Sequence, residues 1–356
     1  MAVAAVVVAI LLASYAIART PGDVLGPGIA AATTSSPPGE NVSYSLPSGS
    51  TASQVGAALQ RLGVIASARQ FELLVSLMGV QDRLSAGDYN LKKDSPAALV
   101  VNELTVKDAI PVIKVTFPEG IRVEEMAVLA EKAGFGTQQQ FLDAVTSAQP
   151  PASIAAMVPS ATAVAGYRLQ GFLFPDTYIM PAGSTAAQLV KLMLQTFALR
   201  FDQNLRDAAQ ANGLTPFQAL TLASIIEREA VLAQERPLIA GVFYNRLAAH
   251  DLLGADPTVQ FAVAENPASV AKYGWWKRNL TADDLANKSP YNTRLFPGLP
   301  PGPITNPGLA SIKAAVNPTK TNYYYFVANA KKGDGSHLFA VTAAQHQQNI
   351  AAAGAP

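Results

Sequence analysis

Cysteine is absent from this chain. That removes disulfides, thiolate metal sites and cysteine nucleophiles together, and it suits a place outside the cytoplasm without requiring one. Histidine is nearly as scarce: His250, His337 and His346 are the whole supply. They form no His-Glu-x-x-His pair, so a zinc hydrolase is not expected, and each lone histidine reads first as structural. Charge is sparse as well. Only 14% of residues are Asp, Glu, Lys or Arg, and the formal net charge is +1, so no broad basic field exists to attract nucleic acid. Neither a Gly-x-Ser-x-Gly elbow, nor a Walker loop, nor a Gly-rich dinucleotide turn occurs. What remains is carboxyl chemistry.

The 356 residues are enough for about two to three folding units. Residues 2–18, AVAAVVVAILLASYAIA, are apolar except for Ser14 and are just long enough to cross a bilayer as a helix. A single N-terminal membrane anchor over residues 1–18 is expected, with the rest outside the cytoplasm. A cleaved signal peptide is the competing reading, since Ala16-Ile17-Ala18 resembles a cleavage site, but the basic n-region is missing. Residues 19–41 are rich in Pro, Gly, Ser and Thr and read as a disordered linker. A second low-complexity patch, 149–165, marks a surface insertion or a domain seam, and the Ala-rich residues 351–356 read as a disordered tail.

Between these segments the pattern is α+β. Strand-like VSYSL from Val42 runs through Pro47-Ser48-Gly49 into a helical stretch, and strand-like VIKVTF from Val112 runs through Pro118-Glu119-Gly120 into another, a weak internal repeat. Further helices are expected over ARQFELLVSLM and SPAALVVNEL, with a short strand around Gly87–Leu91 between them. The aromatic block Gly171–Tyr178 reads as core rather than ligand platform. It leads to one long helix from Thr185 to about Arg206. Toward the C-terminus come a helix carrying Val242–Leu247, a helix start at Asp256-Pro257, strands at Tyr323–Ala328 and around Leu338–Ala340, and a helix through His346.

The stretch Thr221–Ala230 places acids inside an otherwise greasy helix. Thr215 can cap it, Pro216 fits its first position and Gln218 completes a capping box. Leu220, Ala223, Ile226 and Glu227 follow the three-and-four rhythm of one face, which sets Glu227 at the margin of the apolar stripe and points Glu229 elsewhere. Desolvation would raise the pKa of Glu227 and make it a general acid. Spacing alone equally accommodates an ion pair, because Arg228, Glu229, Glu235 and Arg236 crowd the same region. After it, Trp275–Gly308 is polar, rich in turns and pinned by proline, a composition that suits either a carbohydrate wall or an ordinary rigid loop.

Taken in order, the blocks GFLFPDTY (171–178), ASIIEREA (223–230), VFYNRL (242–247), DPTVQ (256–260), SPYNT (289–293), GLPPGPITNPG (298–308) and YYYFVA (323–328) resemble the YceG-like (MltG) family of endolytic murein transglycosylases, from about Tyr44 to Ile350. The resemblance implies a membrane anchor, a LysM-like α+β domain over 42–110, and a helix-rich α+β catalytic domain over 111–350 whose first part, 111–165, connects the two. It implies Glu227 as catalytic residue: general acid to the glycosidic oxygen between N-acetylmuramic acid and N-acetylglucosamine, then base to the C6 hydroxyl as a 1,6-anhydro ring closes. Asn245, Gln260, Tyr291, Asn292 and Thr293 are the candidate substrate-binding residues by motif membership, and Arg228 and Glu229 are assigned first to structure. No metal or cofactor is implied. Implied partners are peptidoglycan strands, the membrane and penicillin-binding synthases; a non-catalytic wall-binding scaffold is the alternative. Gln170 departs from the family, which often has Glu before the aromatic block.

Overall fold

A computed structural model describes residues 40–105, 112–160 and 166–354. The expected membrane segment lies outside them, as do the linker up to residue 39 and the last two residues of the expected tail. No helix among the described residues is long and apolar enough to cross a membrane. The described chain is mixed α+β and forms two compact bodies, 40–202 and 203–354.

In the first body, β1 (Asn41–Leu46) turns into α1 (Ala52–Arg61), followed by α2 (Ala68–Leu77), β2 (Gly87–Lys92) and α3 (Ala97–Thr105). β1 and β2 pair antiparallel, Tyr44 opposite Tyr89. A lone two-stranded ribbon is marginal in water. The buried faces of α1 (Val55, Leu59), α2 (Phe71, Leu74) and α3 (Val100, Leu104) supply its core. A second strand–turn–helix follows: β3 (Val112–Thr116) and α4 (Val123–Lys132), then α5 (Gln138–Ser147), α6 (Ala152–Ala155), β4 (Thr177–Pro181) and α7 (Ala186–Arg200). Both strand-to-helix turns use a glycine, Gly49 and Gly120, at φ 77°, a left-handed backbone that a side chain would strain.

β3 pairs antiparallel with β4, Val115 opposite Tyr178, so the aromatic block is built into this core. Phe117 lies against Phe141 and Tyr178, and Phe172 meets Phe197 edge-on at 5.2 Å. Gln170 has a structural task here: its Oε1 accepts the Val123 N–H at 3.0 Å, satisfying an orphan donor at the start of α4. The single long helix expected from Thr185 to Arg206 is two. α7 stops at Arg200 and α8 (Gln203–Ala211) begins after Phe201, whose fully buried ring stacks edge-on against Phe197 and leaves the helical backbone at φ −94°, ψ 67°.

The second body continues with α9 (Pro216–Glu229), a 3-10 turn (Ala233–Glu235), α10 (Arg236–Ala248), α11 (Asp256–Val263), α12 (Pro267–Tyr273), α13 (Ala282–Leu285), α14 (Leu309–Val316), the antiparallel pair β5 (Tyr325–Ala328) and β6 (His337–Ala340), and α15 (Ala343–Ala353). α9 is its spine, buried from Ala219 to Ile226 and packed on α8, α10, α11 and α14. It starts as its sequence dictates: the reciprocal Thr215–Gln218 capping box is formed and Pro216 opens the first turn. At the far end, the tail expected from residue 351 is still helix. Ala353 is fully buried, its carbonyl accepts the Lys331 N–H at 2.8 Å, and Gly354 turns the chain away at φ 63°.

The segment leading to β5 crosses α10 where that helix has no side chain. Thr319 N–H donates to the Pro237 carbonyl at 2.9 Å, and Asn245 Nδ2 donates to the carbonyls of Thr321 and Tyr323. A Cβ on Gly241 would stand 2.2 Å from the Thr319 oxygen. Gly241→Ala is therefore expected to cost about 1–3 kcal/mol, measured as a lower denaturant midpoint.

Candidate active site

The last turn of α9 holds two carboxyl groups with opposite fates. Glu227 is engaged at both oxygens: the Gly308 N–H donates to Oε2 at 2.8 Å, and Arg236 Nη2 lies 3.4 Å from Oε1. The pair is nearly sealed, with side-chain exposures of 6% and 12%. Gly308 precedes α14 and offers no capping side chain, so the Glu227 carboxylate meets an unsatisfied donor at a helix start, where negative charge is favoured. Ser224 works alongside. Its Oγ accepts the Ile304 N–H at 3.0 Å, and Thr305 Oγ1 donates to the Ser224 carbonyl. One turn of α9 thus fastens the Pro-rich loop 298–308.

Glu229 ends the helix and is not engaged by a hydrogen bond or ion pair among the described residues. Burial pushes its carboxyl up to about 8, reinforced by the negative charge of Asp256. Three guanidinium groups, Arg294, Arg228 and Arg246, pull the other way and lose. Each is occupied elsewhere: Arg294 pairs with Asp256 at 2.6 Å, Arg228 lies over the Trp276 ring at 4.0 Å, and Arg246 donates to the carbonyls of Leu252, Leu253 and Tyr324. Glu227 has the ion pair that its spacing allowed, in a nearly closed place, and the carboxyl that burial pushes up is Glu229, two residues further on.

The five candidate glycan contacts are each tied into the scaffold around this site. Asn245 ties α10 to the segment before β5, and Gln260 Nε2 donates to the Lys277 carbonyl at 3.0 Å. Tyr291, Asn292 and Thr293 are at most 1% exposed. Tyr291 packs on Phe261, Asn292 Nδ2 donates to the carbonyls of Leu285 and Asn287, and Thr293 Oγ1 meets Thr258 Oγ1 at 2.8 Å. Burial keeps those three side chains out of contact with solvent. Reasoning from sequence passed over the Asp256–Arg294 pair and its charge on Glu229. One signal was present: an acid in the last turn of a helix opposes the helix dipole and wants a reason. The histidines are structural here where their contacts are described. His337 bonds Glu235 through Nδ1 at 2.7 Å, and His346 stacks on Tyr325.

Two carboxyl groups in the last turn of a core helix, one of them holding a proline-rich loop, make this a candidate acid–base site. The chain matches the YceG-like family over residues 44–352, and it belongs to that family. It is 30% identical to the endolytic murein transglycosylase of Bacillus subtilis (strain 168), over 86% of this chain and 83% of that protein. It is likewise 30% identical to the Streptococcus pneumoniae (strain D39) protein of the same name, covering 87% of this chain and only 58% of the relative. Among solved structures, a putative yceG-like protein from Listeria monocytogenes superposes with a TM-score of 0.55 at 30% identity, over 87% of this chain and 99% of that one.

Glu227→Ala leaves the Arg236 charge and the Gly308 N–H unpaired in a nearly closed place. A loss of about 2–4 kcal/mol in unfolding free energy is expected, with earlier proteolytic nicking in the 298–308 loop as the local readout.

Proposed function

We propose that the chain is a lytic transglycosylase of murein in which Glu227 carries the proton. The observation that carries this reading is a carboxyl only 6% exposed in the last turn of the core helix α9, beside the proline-rich loop that it fastens, in a chain whose relatives are named for that activity. Protonated Glu227 gives its proton to the glycosidic oxygen between N-acetylmuramic acid and N-acetylglucosamine as that bond breaks. The carboxylate then takes the proton of the C6 hydroxyl, whose oxygen closes the 1,6-anhydro ring on the sugar's own anomeric carbon. One residue serves in turn as acid and base, and the nucleophile, being part of the substrate, reacts intramolecularly ahead of water. Arg236 and the Gly308 N–H hold the two oxygens of Glu227 in place. Asn245, Gln260, Tyr291, Asn292 and Thr293 position the glycan through the scaffold they brace.

The apolar residues 2–18 support a single-pass anchor with both bodies outside the cytoplasm. The strand–helix unit over 42–110 is read as a LysM-like wall-binding domain, and synthases of the penicillin-binding class are the partners this placement suits.

Glu227→Gln is expected to cut release of anhydro-ended fragments by a thousandfold or more, at the upper end of acid–base contributions of about 10²–10⁴, with the chain still folded, since the amide oxygen can still accept the Gly308 N–H. Glu229→Gln is expected to keep most of the activity. Should Glu229→Gln be inert at native stability while Glu227→Gln stays active, the proton passes to Glu229. A wild-type chain that binds murein and releases no anhydro product would be a scaffold instead.

The pH dependence of stability has a definite sign. Burial raises the Glu229 carboxyl from 4.5 to about 8, so the folded chain holds a proton that the unfolded chain gives up, and the stability this supports is full below pH 4.5 and is lost as pH rises through about 8. The unfolding midpoint of the wild type should fall over that range more than that of Glu229→Gln; an equal fall in both would contradict the assignment.

A further inference from the structure

Arg236 reaches two groups that belong to different helices. Its Nη2 stands 3.4 Å from Oε1 of Glu227 in α9, and its Nε donates to Ser311 Oγ in α14 at 3.0 Å. The guanidinium is a planar fork whose donors point in fixed directions, so an acceptor at Nε settles where the Nη groups aim. Ser311 is fully buried, and a hydroxyl in a dry place is there for a partner. It stands in the first turn of α14, three residues after Gly308, whose N–H donates to Oε2 of Glu227 at 2.8 Å. One turn of chain thus grips the acid directly through Gly308 and the acid's cation through Ser311. The helix that begins there is itself held: Tyr244 Oη donates to the Ala315 carbonyl at 2.9 Å, Asn212 Nδ2 donates to the Val316 carbonyl at 3.0 Å, and Ile312, Ala315 and Val316 are buried.

A carboxyl that gives up a proton and takes one back changes charge twice in each turnover. A guanidinium free to follow those changes would close on the ionised form and swing from the neutral one, and each movement would be paid in reorganisation at the reacting centre. A full charge-assisted bond spans about 2.7–2.9 Å, shorter than the 3.4 Å found here, and the bond from Nε to Ser311 ties the guanidinium to α14 at that separation. We propose that Ser311 is a positioning residue for the reaction: its hydroxyl holds the Arg236 guanidinium at a set distance from Glu227 through both proton transfers. This rests on reading Glu227 as the acid of a glycan-cleaving enzyme.

The test is steady-state release of anhydro-ended product from soluble, peptide-free glycan strands by the full chain. Ser311→Ala is expected to lower kcat about tenfold with KM within twofold of wild type, since a misplacement of about 1 Å at a reacting group can cost about 10²-fold and a loosened guanidinium moves less. Alanine is the better helix former, so α14 keeps its first turn. Ser311→Cys fills the same space with a much weaker acceptor and should lose kcat as Ser311→Ala does. On an Arg236→Lys background, which has no Nε–H to donate, Ser311→Ala should cost no further kcat. Co-sedimentation of Ser311→Ala with isolated murein should match that of the wild type. An unchanged kcat in Ser311→Ala overturns the positioning role, as does a rise in KM at constant kcat, wild-type kcat in Ser311→Cys, or an additive loss on the Arg236→Lys background. A wild-type chain without anhydro product, or a fully active Glu227→Gln, overturns the reading of Glu227 and this role with it, an outcome distinct from a Glu227-dependent enzyme indifferent to Ser311.

Discussion

The carboxylate of Glu227, clamped between the Arg236 guanidinium and the Gly308 amide, holds the second body's working face in place. The loop 298–308 has three backbone-directed bonds to α9 through Ser224 and Glu227, and α14, which follows the loop, packs along the same helix. A proline-rich segment has few N–H groups to offer a sheet or helix, so side chains must fix it. Without the clamp the segment would be an exposed linker. With it, the loop is a wall whose position is set by one helical turn.

That arrangement divides labour between two carboxyls of the same turn. A carboxylate that accepts from a cation and an amide is a good fastener because both bonds are charge-assisted. Glu229 has a different environment: burial and the nearby charge of Asp256 push its carboxyl up to about 8. The three nearby arginines do not reverse this, since carbonyls, Asp256 and the Trp276 ring occupy them. Holding an unpaired, desolvated carboxyl costs stability in any fold, and such cost concentrates where chemistry is done.

Much of the fold was legible because its signals are local. Thr215, Pro216 and Gln218 specify the start of α9 through contacts within four residues of one another, and they form as written. The two strand–turn–helix units of the first body were visible as alternation, a glycine turn and an amphipathic run. Elsewhere tertiary contacts overruled the local pattern. The helix after Thr185 breaks because the Phe201 ring packs on Phe197, and the C-terminal helix reaches Ala353 because that residue is buried and bonded to Lys331. Propensity cannot report either event. Nor could it foresee that β3 pairs with β4 across α4, α5 and α6, or that Gly241 exists to admit the Thr319 carbonyl.

For the site, the sequence by itself narrowed the candidate chemistry to carboxyls and singled out one helix: no thiol, no zinc pair, no phosphate loop, and acids at the end of a core helix. It also determined membership of the YceG-like family, carried by several short blocks in one order. Which of the two acids is paired, and which of the nearby polar residues face outward, was decided by tertiary structure alone. The partners that set those properties, Arg236 and Gly308 for Glu227, Asp256 and Arg294 for Glu229, come from α10, from the start of α14, from α11 and from the loop after α13. Burial and charge act through space, and the spacing of residues along one helix carries no record of what the rest of the chain folds against it.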